Sequence, residues 1–165
     1  MLDYIEGAGD AGFAVLSFGS ILKGANLPPA VRDVFVRTFA KFPQRFLWKY
    51  ESDDIDTAHL SDNVKLFRWL PPYMDLLAHP KIRFIMTHGG LFSNQEAVYH
   101  QVPLIGFPVF GDQIHYVVKA QKDGYAILLD WSTLTDEILY DAIKDILTNP
   151  KYVLLSATLN RKCLI

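Results

Sequence analysis

Short apolar runs alternate along the chain with longer segments in which apolar residues recur every three to four positions. The short runs are apolar at consecutive positions, which is typical of strands buried on both faces of a parallel sheet. They predict strands at residues 13–18, 46–50, 64–69, 83–87, 104–107 and 126–129. The pattern therefore predicts an α/β domain, a Rossmann-like parallel sheet with helices on both faces.

The segments between these runs predict the helices. Pro28 and Pro29 open a helix whose apolar residues form one stripe as far as Phe42. Further helices are predicted at about residues 74–78, 93–100, 112–123 and 135–148. The acidic stretch 51–56 is interpreted as a solvated loop between two strands. No second domain is indicated.

Composition and charge exclude several classes of function. With 165 residues, of which 50% are hydrophobic, the chain can bury a core as one domain. A net charge of −2 gives no overall basic field, which argues against general binding of nucleic acid or of an anionic membrane. The single cysteine, Cys163, excludes an internal disulfide framework. No apolar run approaches the roughly 20 residues that cross a bilayer, so the chain as given is expected to be soluble.

Residues 7–12 contain Gly7, Gly9 and Gly12 and match the G-x-G-x-x-G pattern of dinucleotide-binding sites. That pattern requires a strand before the glycines and a helix after them, so that the pyrophosphate meets a helix N-terminus. Here the glycines precede the first predicted strand. They are therefore interpreted as an entry loop, and NAD binding is not expected.

Unusual residues follow the carboxyl ends of four predicted strands: Ser17-Phe-Gly19-Ser20, Trp69, His88-Gly89-Gly90 and Gly111-Asp112-Gln113. Each has an ordinary structural explanation: a turn for Gly19, a core position for Trp69, a cap on its own backbone for His88 and a helix N-cap for Asp112. Ligands of open parallel sheets, however, bind beyond the carboxyl ends of the strands. The coincidence of all four at one edge favours a ligand site.

The residues around the fourth strand indicate a phosphate ligand. Gly89 and Gly90 allow the backbone to approach a ligand closely, and the helix that starts near Ser93 offers free N–H groups and the positive end of its dipole. His88, Ser20 and Ser93 add side-chain donors. This part of the edge is predicted to bind a diphosphate.

The remaining candidates suit the other parts of a nucleotide sugar. Trp69 offers a flat face for a base, and Glu96 can accept hydrogen bonds from ribose hydroxyls. Asp112 and Gln113 pair a carboxylate with an amide, which suits the hydroxyls of a sugar. In order along the edge, the predicted ligand parts are base, ribose, diphosphate and sugar.

These residues resemble the UDP-glycosyltransferases, a family that includes the animal UDP-glucuronosyltransferases. The matching segments are Ser17-Phe-Gly19-Ser20, Trp69, Asp75-Leu-Leu-Ala-His79-Pro80, Thr87-His88-Gly89-Gly90, Ser93, Glu96-Ala97, Val102-Pro103 and Asp112-Gln113. The resemblance implies the C-terminal half of a GT-B fold, a UDP-sugar donor-binding domain over residues 1–152. Residues 153–165 no longer resemble the family and are expected to be a divergent or truncated tail.

The resemblance also implies a role for each position. Trp69 stacks on uracil and Glu96 holds the ribose. The diphosphate is held by Ser20, His88, Gly89, Gly90 and Ser93, and the sugar by Asp112 and Gln113. His88 is expected to stabilise the leaving diphosphate, and the general base is expected in an N-terminal acceptor half. No catalytic residue in the strict sense is therefore assigned to this chain.

The implied activity is an inverting transfer of a hexose or glucuronic acid from UDP-glucose or UDP-glucuronate to a hydroxyl of a small lipophilic acceptor. Neither a metal nor a further cofactor is expected, and the chain alone is expected to bind donor without turnover. The family also implies a role in detoxification and a full-length protein in the endoplasmic reticulum membrane, with this domain in the lumen. Formation of a homo-oligomer stays open.

The chain departs from the family pattern at three positions: Pro72 replaces a glutamine, Gln101 replaces the glycine before Val-Pro, and Tyr116 replaces the asparagine after Asp-Gln. One alternative is therefore a nucleotide-binding or regulatory module without transferase activity.

A metal site formed by His79, His88, His100 and His115 is a weaker alternative, because no pair of these residues has the spacing of a metal-binding motif.

Overall fold

A computed structural model describes residues 1–20, 22–52 and 59–153 of the chain. Within these ranges the strands are β1 Phe13–Ser17, β2 Arg45–Lys49, β3 Val64–Phe67, β4 Ile82–Thr87, β5 Leu104–Gly106 and β6 Ala126–Leu128. The helices are α1 Leu2–Glu6, α2 Pro29–Phe39, α3 Tyr73–Leu77, α4 Leu91–Tyr99, α5 Gln113–Lys122 and α6 Asp136–Thr148. Every predicted strand and helix is confirmed, with small differences at the ends. Helix α1 was not predicted.

The strands form one parallel sheet in the order β3-β2-β1-β4-β5-β6. The order reverses direction between β1 and β4, where the last residue of β1, Ser17, is the register partner of Thr87 in β4. The loops that follow these two strands lead to opposite halves of the sheet. A crevice therefore opens between them at the carboxyl edge, the position at which open α/β sheets bind ligands.

Both faces of the sheet are buried, which explains the continuous apolar runs in the sequence. In β1, Ala14 and Leu16 belong to a core cluster that includes residues of α2 and α6. Phe13 and Val15 belong to a second cluster, which includes residues of α1, α3, α4 and α5. The side chains of β1 thus alternate between two cores, and the strand ends that carry the candidate site are held from both sides.

The glycine-rich segment 7–12 lies between α1 and β1, where Gly9–Ala11 form a single 3-10 turn. The prediction that these glycines precede the first strand is confirmed. They lack the preceding strand and following helix that a dinucleotide site requires. Of the predicted loop 51–56, residues 53–56 lie outside the described residues, as does the predicted tail except for Val153.

Gln101 adopts a left-handed backbone conformation with φ of 60°. Glycine adopts this conformation freely, whereas a residue with a Cβ atom adopts it at a cost of about 1–3 kcal/mol. The adjoining backbone stays paired, since the Gln101 N–H donates to the Val98 carbonyl at 3.1 Å. The replacement of the family glycine is therefore tolerated with local strain and without a change of fold.

Candidate functional site

A pocket of about 350 Å³ opens at the carboxyl edge of the sheet. It is lined by Ser17, Gly19, Lys49, Trp69, Leu70, Pro71, Pro72, Tyr73, Ser93 and Glu96. Trp69, Ser93 and Glu96 were predicted from sequence to serve one ligand, and the fold brings them to one pocket from two different segments. Its volume lies within the range of about 300–1,000 Å³ that is usual for small-molecule sites.

His88 lies between the glycines of two loops and is only 6% exposed. A Cβ atom on Gly19, in the loop after β1, would stand 2.7 Å from the imidazole Cε1. A Cβ atom on Gly90 would stand 2.7 Å from Nε2 of the same ring. Because Cβ atoms do not approach other atoms so closely, a side chain at either position would displace the imidazole from its place. The two glycines therefore explain how the imidazole fits into the crevice between β1 and β4.

The turn after His88 is held by a residue that the sequence did not single out. The side-chain amide of Asn94 donates to the carbonyls of Gly89 and Gly90, each at 3.0 Å. Helix α4 begins at Leu91, two residues earlier than predicted, and its N-cap is Gly90. Its first turn, which contains Ser93, presents backbone N–H groups that have no partner within the helix. The turn and the helix start thus offer the donor groups that bind anions.

The imidazole of His88 is favoured in its neutral form. Burial lowers the pKa of His88, and the negative charge of Asp112 opposes this shift only in part. Nδ1 lies 3.4 Å from the Thr87 hydroxyl. Among the described residues, none is hydrogen-bonded to Nε2. A neutral ring with its proton on Nε2 can donate to an anion, and the approach of that anion would raise the pKa of His88 again.

Asp112 and Gln113 were predicted to act as a pair, but they have different environments. Asp112 is exposed at the start of α5 and lies close enough to His88 to influence its pKa. Gln113 is only 2% exposed, and its side-chain oxygen accepts from the N–H groups of Val109 at 2.8 Å and Phe110 at 3.2 Å. Gln113 therefore fixes the loop after β5, whereas the carboxylate of Asp112 is accessible.

The side chains of Trp69 and Glu96 are exposed enough to contact a ligand. Strand β3 ends at Phe67, two residues earlier than predicted, and the side chain of Trp69 is 76% exposed. Trp69 is therefore not a core residue. Glu96 is half-buried, and burial raises its pKa. Beside it, the buried hydroxyl of Tyr73 has no hydrogen-bond partner among the residues that the structure describes. Burial raises the pKa of Tyr73, and the negative charge of Glu96 adds to this shift.

The family model for UDP-glucuronosyl and UDP-glucosyl transferases matches residues 1–160. The chain belongs to this family. It is 35% identical over 161 residues to UDP-glucuronosyltransferase 2B13 of Oryctolagus cuniculus, a match that covers 98% of this chain and 29% of the relative. The chain thus spans less than a third of the length of such curated family members.

Solved structures agree with this membership at the level of the fold. A glycosyltransferase of kitacinnamycin superposes with a TM-score of 0.81 at 25% identity, covering 91% of this chain and 38% of that structure. Os79 from O. sativa, solved in complex with UDP, superposes with a TM-score of 0.77 at 20% identity, covering 98% of this chain and 38% of that one. The chain has the fold of one half of a GT-B glycosyltransferase.

No group of three or more His, Cys, Asp or Glu side chains in the part of the chain that the structure describes is placed to hold a metal ion. The histidine cluster suggested by the sequence is therefore not supported there. Over the same residues, none of the helices combines the length and the apolar character of a membrane span.

Lys49 lines the pocket of this family member and was not predicted as a site residue. A sequence signal for it exists, because Lys49 ends the apolar run Phe46-Leu-Trp at the carboxyl edge, where a buried strand ordinarily carries no charge. Asn94 offers no comparable signal. Its contacts depend on the turn that the chain makes at Gly89 and Gly90, which its place in the sequence does not reveal.

Proposed function

We propose that this chain is the donor-binding domain of an inverting UDP-sugar-dependent glycosyltransferase. The enzyme would transfer a hexose or glucuronic acid to a hydroxyl of a small lipophilic acceptor. The observation that carries this proposal is the packing of His88 between Gly19 and Gly90, beside a pocket lined by Trp69 and Glu96. Family membership and the UDP bound to a protein of the same fold support it.

Each part of the donor has a counterpart at this edge. Uracil stacks on the exposed ring of Trp69, and the half-buried carboxylate of Glu96 accepts from the ribose hydroxyls. The diphosphate binds the turn after β4 and the start of α4, with side-chain donors from three residues, His88, Ser20 and Ser93. The sugar hydroxyls meet the carboxylate of Asp112. Gln113 contributes through its amide nitrogen, since its oxygen already accepts two backbone N–H groups.

In this proposal, His88 acts on the leaving group. The acceptor oxygen attacks the anomeric carbon from the side opposite the diphosphate, and the bond from that carbon to the diphosphate oxygen breaks. Negative charge then accumulates on the diphosphate, where a donor already in place stabilises it more strongly than it stabilises the bound substrate. The general base that takes the acceptor proton belongs to an N-terminal acceptor half. This chain by itself is therefore expected to bind donor and to transfer no sugar.

The wider assignment rests on the family. We infer a full-length protein at the endoplasmic reticulum membrane, with this domain on the lumenal side, that acts in detoxification on lipophilic acceptors. The donor is UDP-glucose or UDP-glucuronate, both of which present sugar hydroxyls that Asp112 can bind. Localisation of the full-length protein and acceptor screening test the membrane location and the acceptor class independently of donor binding.

Titration calorimetry of the purified chain tests donor binding directly. We expect UDP, UDP-glucose and UDP-glucuronate to bind and to compete with one another, because all three share the base, the ribose and the diphosphate. NAD serves as the control, since the glycine-rich segment 7–12 lacks the structural context of a dinucleotide site. Competition by NAD at a concentration similar to that of UDP would overturn the assignment of the site.

A further inference from the structure

Lys49 connects two walls of the pocket through its ammonium group. It ends β2 at the carboxyl edge and is only 9% exposed. Nζ donates to the carbonyl of Gly19 at 2.7 Å, in the loop after β1, and pairs with the Glu51 carboxylate at 2.8 Å. It also lies 4.9 Å from the centre of the Trp69 ring. These three contacts correspond in number to the three donors of an ammonium group.

The conformation of Glu51 completes this arrangement. Its φ is 64°, a left-handed value that residues other than glycine adopt rarely. With the backbone turned in this way, the Glu51 carboxylate lies against the ammonium group of Lys49, two residues earlier in the chain. The opposite charges of this half-buried ion pair offset each other. Strained backbone that is held by specific contacts concentrates at functional sites. Here, the strained residue adjoins the wall of the candidate pocket.

Trp69 is the partner that depends most on Lys49. With 76% of its surface exposed, the indole is not fixed by the core. A cation over an aromatic face attracts the ring through its quadrupole, more strongly where water is partly excluded. The ammonium group occupies one face of the indole, which leaves the other face for a base.

We propose that Lys49 is a positioning residue for nucleotide binding: it holds the ring of Trp69 and the carbonyl of Gly19 in the arrangement that the ligand requires, and Glu51 balances its charge. The proposal rests on the donor-binding function proposed above, because it treats Trp69 as the base platform. Lys49 is the residue that β2 contributes to the pocket lining. The proposal also assigns the face of the indole on which the base stacks.

The fluorine resonance of a labelled Trp69 in the ligand-free chain tests whether Lys49 positions the indole ring. The chain is labelled with 5-fluorotryptophan, and the Trp69 resonance is assigned by its loss in a Trp69→Phe variant. In Lys49→Met, which keeps the length of the side chain, we expect this resonance to move toward the position of a free, solvated indole. Lys49→Arg, which keeps the cation, should retain the original position. An unchanged Trp69 resonance in Lys49→Met would overturn the proposal.

Lys49→Met leaves the charge of Glu51 half-buried and unpaired, which can impair folding. The double variant Lys49→Met with Glu51→Gln removes both charges and keeps the shapes of the side chains. It should show the same displacement of the Trp69 resonance. A normal resonance in the folded double variant would contradict the proposal as directly as one in the single variant.

A double-mutant cycle of UDP affinity then tests whether the contact between Lys49 and Trp69 contributes to nucleotide binding. In the wild-type background, Lys49→Met should weaken UDP about three- to tenfold, within the range of a partly desolvated cation–π contact. In a Trp69→Ala background the same change should weaken UDP clearly less, because the platform is already absent. Equal losses in the two backgrounds would overturn the positioning role. Absence of UDP binding by the wild-type chain would instead refute the proposed function, while the fluorine signal would still report whether Lys49 holds the ring.

Discussion

Replacing His88 with alanine is expected to slow sugar transfer by about 10²–10³-fold, equivalent to losing about 2.7–4 kcal/mol of transition-state stabilisation. The physical reason is the loss of one donor that is fixed in place before the reaction begins. His88 is held between Gly19 and Gly90, so it does not reorganise as charge develops on the diphosphate. The affinity for the intact donor UDP-glucose should fall less than the rate, because the charge on the diphosphate is smaller in the bound donor than in the transition state.

The measurement compares two quantities for the same variant. Transfer is measured in a protein that joins this chain to the N-terminal half of a curated relative, and the affinity for UDP-glucose is measured by calorimetry. His88→Gln, which retains a neutral N–H donor, should recover part of the rate. His79→Ala is the matched control, because His79 precedes β4 at the opposite edge of the sheet and contacts Glu6. Normal transfer by His88→Ala would remove His88 from the site, and robust transfer by the 165-residue chain alone would show that the base lies within it.

Replacing Trp69 with alanine is expected to weaken UDP by about 1–3 kcal/mol, the range for an aromatic platform beneath a base. The fold should persist, because the side chain is 76% exposed and its removal opens no cavity in the core. Trp69→Phe, which retains an aromatic face, should weaken UDP less than Trp69→Ala does. The measurement is UDP calorimetry together with the thermal midpoint of unfolding for each variant.

Tyr99 provides the control for this substitution. It is an exposed aromatic residue at the far end of α4, away from the carboxyl edge. Tyr99→Ala should leave UDP affinity unchanged. An unaltered affinity in Trp69→Ala would show that the base binds elsewhere, a result that the family departure at Pro72, in the wall of the same pocket, would help to explain.

The sheet and the edge that carries the candidate site were predictable because both depend on local patterns and one general rule. Consecutive apolar residues, such as those of β1 and β4, reveal strands buried on two faces. Parallel strands bring their carboxyl ends to one edge, so the residues that follow each strand share that edge whatever the strand order. The convergence of Gly19, His88 and Asp112 followed from this rule without knowledge of the topology. The strand order adds that the crevice lies between β1 and β4.

The contacts that complete the site were not predictable, since they join distant segments through side-chain geometry. Lys49 reaches the carbonyl of Gly19 across two neighbouring strands, and the strand pattern gives its place but not its partner. The side chain of Gln113 turns back to the loop that precedes its own helix. No spacing rule reveals that the side-chain oxygen of Gln113 already accepts from two backbone N–H groups. The left-handed turn at Glu51 likewise appears only in the backbone angles.

A structure of this chain with UDP tests the central claim most directly, because it locates each part of the nucleotide. We expect uracil against the face of Trp69 that is turned away from Lys49, ribose hydroxyls on Glu96, and the diphosphate at the turn formed by His88, Gly89 and Gly90. UDP bound at the glycine-rich segment 7–12, or at the carboxyl edge with its base away from Trp69 and its phosphates away from His88, would contradict it.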